Sequence, residues 1–567
     1  MSGFDENTDR NVIPRWRNSG MAAASLDAQP LMPRKASPLD ITQELHAKLS
    51  DFRERRTLGV AADVLNTAIL GAKRGEDTKA VAQYVLDQPN TPFRLRSLAL
   101  EFAGLAESPA HIPGSVKEAA GLGVASLRSL LRIEPRNPIA LVDLARFQAV
   151  LGLDDRACQS MRMAVALAPH HRWVLRSAAR LLIHTSNSDE ALRLLSRNEV
   201  TKNDPWLLAA ELATARVAGK DPLHWRQAKR MLDAKTLRPG HLSELASAAG
   251  TLEWSSGNRK MAKKLFRIAL EEPNDNSLAQ IKWAEHRFKD GFTTEAMIRS
   301  VPHAYEAAFW RSYHELDMSS ALRHSMNWLE DEPFSLAPAM MASYVASLLD
   351  DYDTALDVLE QGLIANTGNR DLLNNLYFAK ISSGKIFEGT ADEVSENFQR
   401  MLNELREWSR GEDATTVHSL ANFGLLLYRI GQPEDGRDAY DAAVNAATKN
   451  IGTSTEANKA KEYFVVAMAS LFHAREAILS KSAWAGITLQ KAEDAVKRTD
   501  MQGAHFYLSK VKAVFKEPER AGEIFHPGSA DLFKPVREAN RTAAVPSFRI
   551  EHTANGVILH IPKLLKK

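Results

Sequence analysis

Two stretches of the chain carry one pattern of small and bulky residues at the same offsets. Between Pro138 and Pro169 it runs Leu141, Leu144, Ala145, Gly152, Ala157, Met161, Ala164 and Pro169. Between Thr416 and Val444 it runs Leu420, Phe423, Gly424, Leu427, Gly431, Gly436, Tyr440 and Ala443. A fixed internal period of ~34 residues marks units that cannot bury their own apolar face alone, so they must stack into an array. The pattern constrains the architecture closely and the biochemistry hardly at all.

The rest of the chain fits that architecture. From about Ile41 to Lys516 apolar residues recur at three- and four-residue steps, and Gly, Asn-Pro or Asp-Pro interrupts the runs. Short loops between helices of this size make antiparallel neighbours. At 567 residues the chain exceeds one ordinary core. Its 72 Lys+Arg against 70 Asp+Glu give no global pull toward nucleic acid or an anionic membrane.

In these residues the chain resembles the tetratricopeptide-repeat family. Residues 243 to 276 match the family motif through Ala246, Ala249, Gly250, Gly257, Ala262, Phe266 and Ala269. Residues 336 to 369 match through Ala339, Ala342, Ala346, Ala355, Leu359 and Gly362, and residues 172 to 203 more loosely through Leu175, Ala178, Ala179, Leu182, Ala191 and Leu195. The stretches 41–137, 204–242, 277–335, 370–416 and 453–516 are helical but degenerate. The expected fold class is all-α, a superhelical array of antiparallel helix pairs, with a short C-terminal β-hairpin. The expected domains are a flexible arm (1–38), the solenoid (39–520) and a tail (521–567).

The two ends differ from the middle. In the arm, Pro14, Pro30, Pro33 and Pro38 interrupt any helix, and Val12-Ile13-Pro14-Arg15-Trp16-Arg17 is an apolar, aromatic island. It reads either as a tether packed on the first helices, or plain disorder, or as a linear motif in which Trp16 and Arg17 anchor a partner. In the tail, Asn555-Gly556 predicts a hairpin over 548–561 that pairs Ala554 with Val557, His552 with Leu559 and Ile550 with Ile561. Phe548 and Ile550 then share an apolar face that either packs on the last helices or adds to a partner's sheet.

No catalytic constellation holds. His314-Glu315 begins a zinc-protease helix motif, but Met318 stands where the second His is needed. There is no phosphate-binding glycine loop and no nucleophile elbow. Cys158, the single cysteine, excludes an intrachain disulfide and reads as a packing residue rather than a nucleophile. The expectation is a protein that is not an enzyme, with no cofactor and no metal. One cysteine, no leader-like run and no spanning run point to a cytoplasmic protein outside the membrane.

What remains is surface. The resemblance implies that the first helix of each pair lines a concave groove. Its groove slots hold Arg146, Trp173, Arg176 and Arg180, with Arg172 one turn away, a basic patch suited to carboxylates or phosphates. The plainer reading is a solvated face neutralised by acids such as Asp143. Further along come Trp254, Phe288, Met340, Tyr344, Phe378 and Tyr428, which suit a peptide or helix or are core residues where the register has slipped. Asn375 and Asn422 match the family's carboxylate-clamp asparagine, but Met340, Tyr344 and His418 stand where the clamp's basic or polar residues belong. The expected function is a non-catalytic scaffold or adaptor binding a protein or peptide in the groove. The alternative is a regulatory sensor that binds a peptide or an anionic ligand, nucleic acid being the weaker version, and signals to a partner protein.

Overall fold

The computed structural model describes residues 10–19, 22, 30–34, 38–70, 73–89, 91, 93–104, 115–288, 291–388, 391–409, 414–453, 456–525, 549–553 and 556–560. They divide into two compact units, Arg10–Ala307 and one built on Ala308–Lys567.

The first unit contains α1 (Pro38–Glu54), α2 (Leu58–Leu70), α3 (Glu76–Asp87), α4 (Phe93–Ala103), α5 (Val116–Ile133), α6 (Pro138–Val150), α7 (Asp154–Leu167) and α8 (Arg172–His184). It continues with α9 (Ser188–Ser196), α10 (Pro205–Val217), α11 (Trp225–Ala234), α12 (Pro239–Ser255), α13 (Arg259–Ala269), α14 (Asp275–Phe288), α15 (Glu295–Ser300) and the opening residues of α16 (Tyr305–His314). Successive helices pack in pairs, and α6, α8, α10, α12 and α14 also touch one another in series, which makes them the inner layer.

Local sequence explains where these inner helices begin. Asn137 and Asp204 cap α6 and α10 by accepting from main-chain N–H groups of the first turn, each followed by Pro at the first helical position. Along α10 and α12 nearly every residue is buried, polar ones included. A helix covered on all sides needs an occupant on its inner face as well as an outer partner.

The second unit contains α17 (Met318–Asp331), α18 (Leu336–Leu348), α19 (Tyr352–Ala365), α20 (Arg370–Ser383), α21 (Ala391–Trp408), α22 (Ala414–Arg429) and α23 (Pro433–Thr453). After these come α24 (Glu456–Leu479), α25 (Ala485–Val496), α26 (Gln502–Lys516) and α27 (Ala521–Ile524). Here α18, α20, α22, α24 and α26 form the inner series, and α26 also returns to touch α18.

The small residues of the repeat are where the helices of a pair come closest. Ala145, Ala157, Ala179, Ala191 and Ala262 are fully buried. A Cβ on Gly424 would lie 2.8 Å from Tyr440 and 3.1 Å from the Gly436 carbonyl, and one on Gly436 would lie 3.1 Å from the Gly424 carbonyl. Backbone meets backbone there, so only glycine fits.

The turn after an inner helix gives the repeat a second signature. Gly152, Gly257 and Gly431 have φ of 68°, 84° and 83°, the left-handed helix end that glycine supplies cheaply. Ser186, Leu316, Asp350 and Lys481 have φ of 61°, 63°, 59° and 55° in the equivalent turns. The turn is therefore kept with or without its glycine: the degenerate stretches 204–242 and 370–416 retain Gly219 (φ 64°) and Gly384 (φ 79°), while the matching stretches 172–203 and 336–369 carry Ser186 and Asp350 instead. Non-glycine residues hold this conformation at a cost of ~1 kcal/mol or more, which the surrounding packing must offset.

The expected fold class needs a correction at the C-terminus, while the helical array fits. The hairpin read over 548–561 around an Asn555-Gly556 turn is not the pairing present. The ladder joins β1 (Arg549–Thr553) to β2 (Gly556–His560), with Ile550 opposite Leu559, His552 opposite Val557 and Thr553 opposite Gly556. Gly556 is thus a strand residue, and the register moves by two positions. The two residues left between the paired Thr553 and Gly556 are Ala554 and Asn555, so Asn555-Gly556 are not the two turn residues. Phe548 lies outside the described residues.

Candidate functional site: the occupied inner face of the first unit

The inner face of the first unit is filled by residues 10–19 of the same chain, none of which from Arg10 to Asn18 belongs to a helix or strand. Val12 and Trp16 are 1% and 0% exposed. Val12 joins the core cluster of Leu208, Leu212, Leu242, Leu245 and Ile281, which supplies the cover that the inner sides of α10 and α12 require.

Three main-chain carbonyls of this segment are gripped by side chains. Arg146 Nε donates to the Trp16 carbonyl at 3.0 Å, Asn276 Nδ2 to that of Ile13 at 3.0 Å, and Gln280 Nε2 to that of Arg10 at 3.1 Å. At the far end, Asp143 receives the Ser19 N–H at 2.8 Å and its hydroxyl at 2.5 Å. A second stretch docks separately: Met32 N donates to His241 Nδ1 at 3.2 Å, Arg34 N to the Thr236 carbonyl at 2.8 Å, and Arg238 N to the Met32 carbonyl at 3.1 Å.

Three arginines of the segment converge on two buried carboxylates. Arg10 forks onto Glu306, Nε to Oε1 at 2.7 Å and Nη2 to Oε2 at 2.9 Å, and its remaining donors reach Asn276 at 2.9 Å and Gln280 at 3.0 Å. Arg15 bonds both Asp275, at 3.2 Å, and Glu306. Arg17 Nη2 reaches Asp275 at 3.0 Å. Burial alone would push both carboxyls up. Arg10 and Arg15 bring Glu306 down to about 2 instead, and Arg17 and Arg15 hold Asp275 below its ordinary value.

Arg146 and Trp173 are buried. Arg176, 1% exposed, pairs with Glu244 at 3.0 Å, donates to the Trp206 carbonyl at 3.0 Å and lies over the Trp206 ring at 5.2 Å. Arg172 bonds Asp204 at 2.5 Å. Arg180 is half-buried; after burial, its charge helps hold His184 down to about 4. Trp254 is half-buried, edge-on to Phe288 at 4.3 Å with Arg259 above it at 5.1 Å. Trp16 and Arg17, expected as secondary contacts, sit inside the occupied face.

The other aromatic positions are core residues of the second unit. Tyr344 lies against Gly503 of α26, and its hydroxyl is 3.3 Å from that of Tyr313, which accepts the Gly503 N–H at 3.0 Å. Phe378 packs on Phe472 beneath the Arg475 guanidinium. The Tyr428 hydroxyl accepts from Trp484 Nε1 at 2.9 Å and lies 3.1 Å from His473 Nε2. Asn422, matched to the carboxylate clamp, donates its amide to the Asn374 carbonyl at 2.9 Å. Nearby, Asp350 accepts from Tyr352 at 2.6 Å, from Tyr507 at 3.0 Å and from Lys510, while Arg475 bonds Tyr352, Tyr507 and Glu476 at 2.8, 3.0 and 2.7 Å. This network fastens α26 to the turn between α18 and α19.

Cys158 is half-buried at the edge of a cleft of about 380 Å³ shared with Asp154 and His184. Burial pushes its thiol up, away from the thiolate that nucleophilic chemistry needs. Among the described residues no group of three or more His, Cys, Asp or Glu is placed to hold a metal, and no helix is long and apolar enough to cross a membrane.

No family model and no curated protein matches this chain. Among solved structures it is similar to a human IFIT1 dimer with m7Gppp-AAAA, at 12% identity and TM-score 0.28 over 74% of this chain and 96% of that one. It is also similar to Naa15/Naa10 bound to HypK-THB, at 12% identity and TM-score 0.21 over 88% and 99%. A circular tandem repeat protein with novel repeat topology matches at 13% identity and TM-score 0.13 over 89% and 97%. The helical-repeat architecture rests on the helix pairing described above.

Proposed function

We propose that this protein is a non-catalytic scaffold or adaptor whose first unit holds an extended polypeptide along its inner face. One observation carries the reading: Arg146, Asn276 and Gln280 each donate to a main-chain carbonyl of residues 10–16. Gripping carbonyls from helical side chains secures an extended chain whatever its side chains, and buried positions such as those of Val12 and Trp16 add selectivity.

The reading as a sensor of anionic ligands is the weaker one. Arg172 is bonded to Asp204 and Arg176 to Glu244. An arginine engaged with a buried carboxylate has little left for a phosphate.

The test is a photo-cross-linker placed at half-buried Arg180 of the full chain in its native cell. A polypeptide should be captured in wild type and lost when Arg146 and Asn276 are both changed to Ala. Capture that ignores those two changes would remove the carbonyl grip from the account.

A further inference from the structure

The partner's chemistry is written in the residues that hold the arm. This step rests on the reading of the inner face as a polypeptide site. Glu306 and Asp275 have side chains only 8% and 9% exposed. Two buried carboxylates close together are tolerated only while cations sit on them with satisfied hydrogen bonds. Arg10 meets four acceptor atoms on three residues as a planar fork, both of its terminal nitrogens and Nε engaged at 2.7 to 3.0 Å. An ammonium group, a point donor on a flexible stem, cannot reproduce that set.

The occupant shares no helix or strand with the array that holds it. Residues 10–18 form no helix or strand, so withdrawing them breaks no element of the solenoid. Residues 32–34 are fastened independently, to Thr236, Arg238 and His241.

We infer that the inner face of the first unit selects extended peptides bearing arginines at the spacing of Arg10, Arg15 and Arg17 around a central aromatic residue, and that residues 10–19 are the resident copy such a partner segment displaces. The acidic end formed by Asp275 and Glu306, with the amide oxygens of Asn276 and Gln280 beside it, reads the arginines. Arg146 and Asn276 hold the backbone. The Trp16 position takes the aromatic ring.

The test uses a fluorescein-labelled decapeptide with the sequence of Arg10–Ser19 and a second peptide with its three arginines replaced by lysine. Each is titrated against the full wild-type chain and against a full-length arm variant carrying Arg10→Ala, Arg15→Ala and Arg17→Ala. The arm variant should bind the arginine peptide at least tenfold more tightly than wild type does, and at least tenfold more tightly than it binds the lysine peptide. Adding Asp275→Asn and Glu306→Gln should abolish that binding. If the arm variant loses helical circular dichroism, Arg15→Ala alone carries the comparison. Equal affinity for both peptides would overturn the arginine selectivity and leave the polypeptide site standing. No binding of either peptide to the arm variant would overturn the site itself. Equal binding to wild type and arm variant would show that residues 10–19 are not what the peptide displaces.

Discussion

Arg10 and Glu306, far apart in the chain, meet through two parallel N–H···O bonds of 2.7 and 2.9 Å. Burial opposes the Glu306 charge and Arg10 and Arg15 more than restore it, so its carboxyl falls from 4.5 to about 2. A depressed acid contributes stability that is fully present above its unfolded value and is lost as pH falls through the folded one. Glu306→Gln should therefore destabilise the first unit by about 3 kcal/mol at pH 7. Urea midpoints of variant and wild type should converge as pH falls from 4.5 toward 2. A gap that persists at the acid end would separate the effect from ionisation.

The contact between α22 and α23 gives a second prediction. Gly424→Ala places a methyl 3.1 Å from a backbone carbonyl and 2.8 Å from Tyr440. A backbone cannot step aside as a side-chain end can, so a loss of about 2–3 kcal/mol is expected. The control is Gly486→Ala in α25, where the nearest atom is Phe515 Cζ at 3.7 Å. It should leave the denaturation midpoint unchanged or slightly higher. Equal losses at both positions would mean that close approach is not the cause.

These two cases mark what could be read from the sequence. Gly424 and Gly436 are legible because the helix-pair contact is set by residues a dozen apart, within reach of a periodic pattern. Arg146, Trp173 and Arg176 were placed on the inner helices by the same offsets. Their partners were not, because a periodic pattern does not encode what fills the face it defines. Trp16 reaches Arg146, and Arg10 and Arg15 reach Glu306, across distances in the chain that no local rule covers. Asp275 and Glu306 were missed for that reason: Asp275 sits in an Asn-Asp-Asn-Ser run that reads as a helix start. The available hint was an arm with arginines at 10, 15 and 17 and no carboxylate among them. The hairpin register differs for another reason: Asn-Gly is a local turn signal, whereas the ladder pairs Gly556 with Thr553.

His473 provides a pH handle in the second unit. Burial, with Lys491 and Arg437, lowers it from 6.5 to about 3. The unfolded state therefore takes up a proton below pH 6.5 that the folded state refuses, and stability falls with pH. His473→Gln should remove about 2 kcal/mol of the loss that wild type suffers between pH 7 and 5. Denaturation midpoints at the two pH values measure it, and an unchanged pH slope would exclude His473 as the source.

Gly503 is where α26 meets α18. A side chain there would collide with the Tyr344 hydroxyl and lie 2.8 Å from that of Tyr313. Gly503→Ala should loosen α26, raising the rate of limited proteolysis after Lys510, Lys512 and Lys516 by at least tenfold. Cleavage in the first unit should keep its wild-type rate. Unchanged cleavage of α26 would show that the two tyrosines yield.

Occupation of the first unit's inner face by residues 10–19 brings Ser19 within hydrogen-bond distance of Asp143, a contact that a disulfide can trap. A full chain carrying Cys158→Ser, Ser19→Cys and Asp143→Cys should form an intramolecular disulfide under mild oxidation. A control pairing Ser19→Cys with Ser256→Cys, an exposed position after α12, should not. Rapid, quantitative closure of the first pair alone is the predicted result. Closure no faster than the control would place the segment elsewhere than on the inner face.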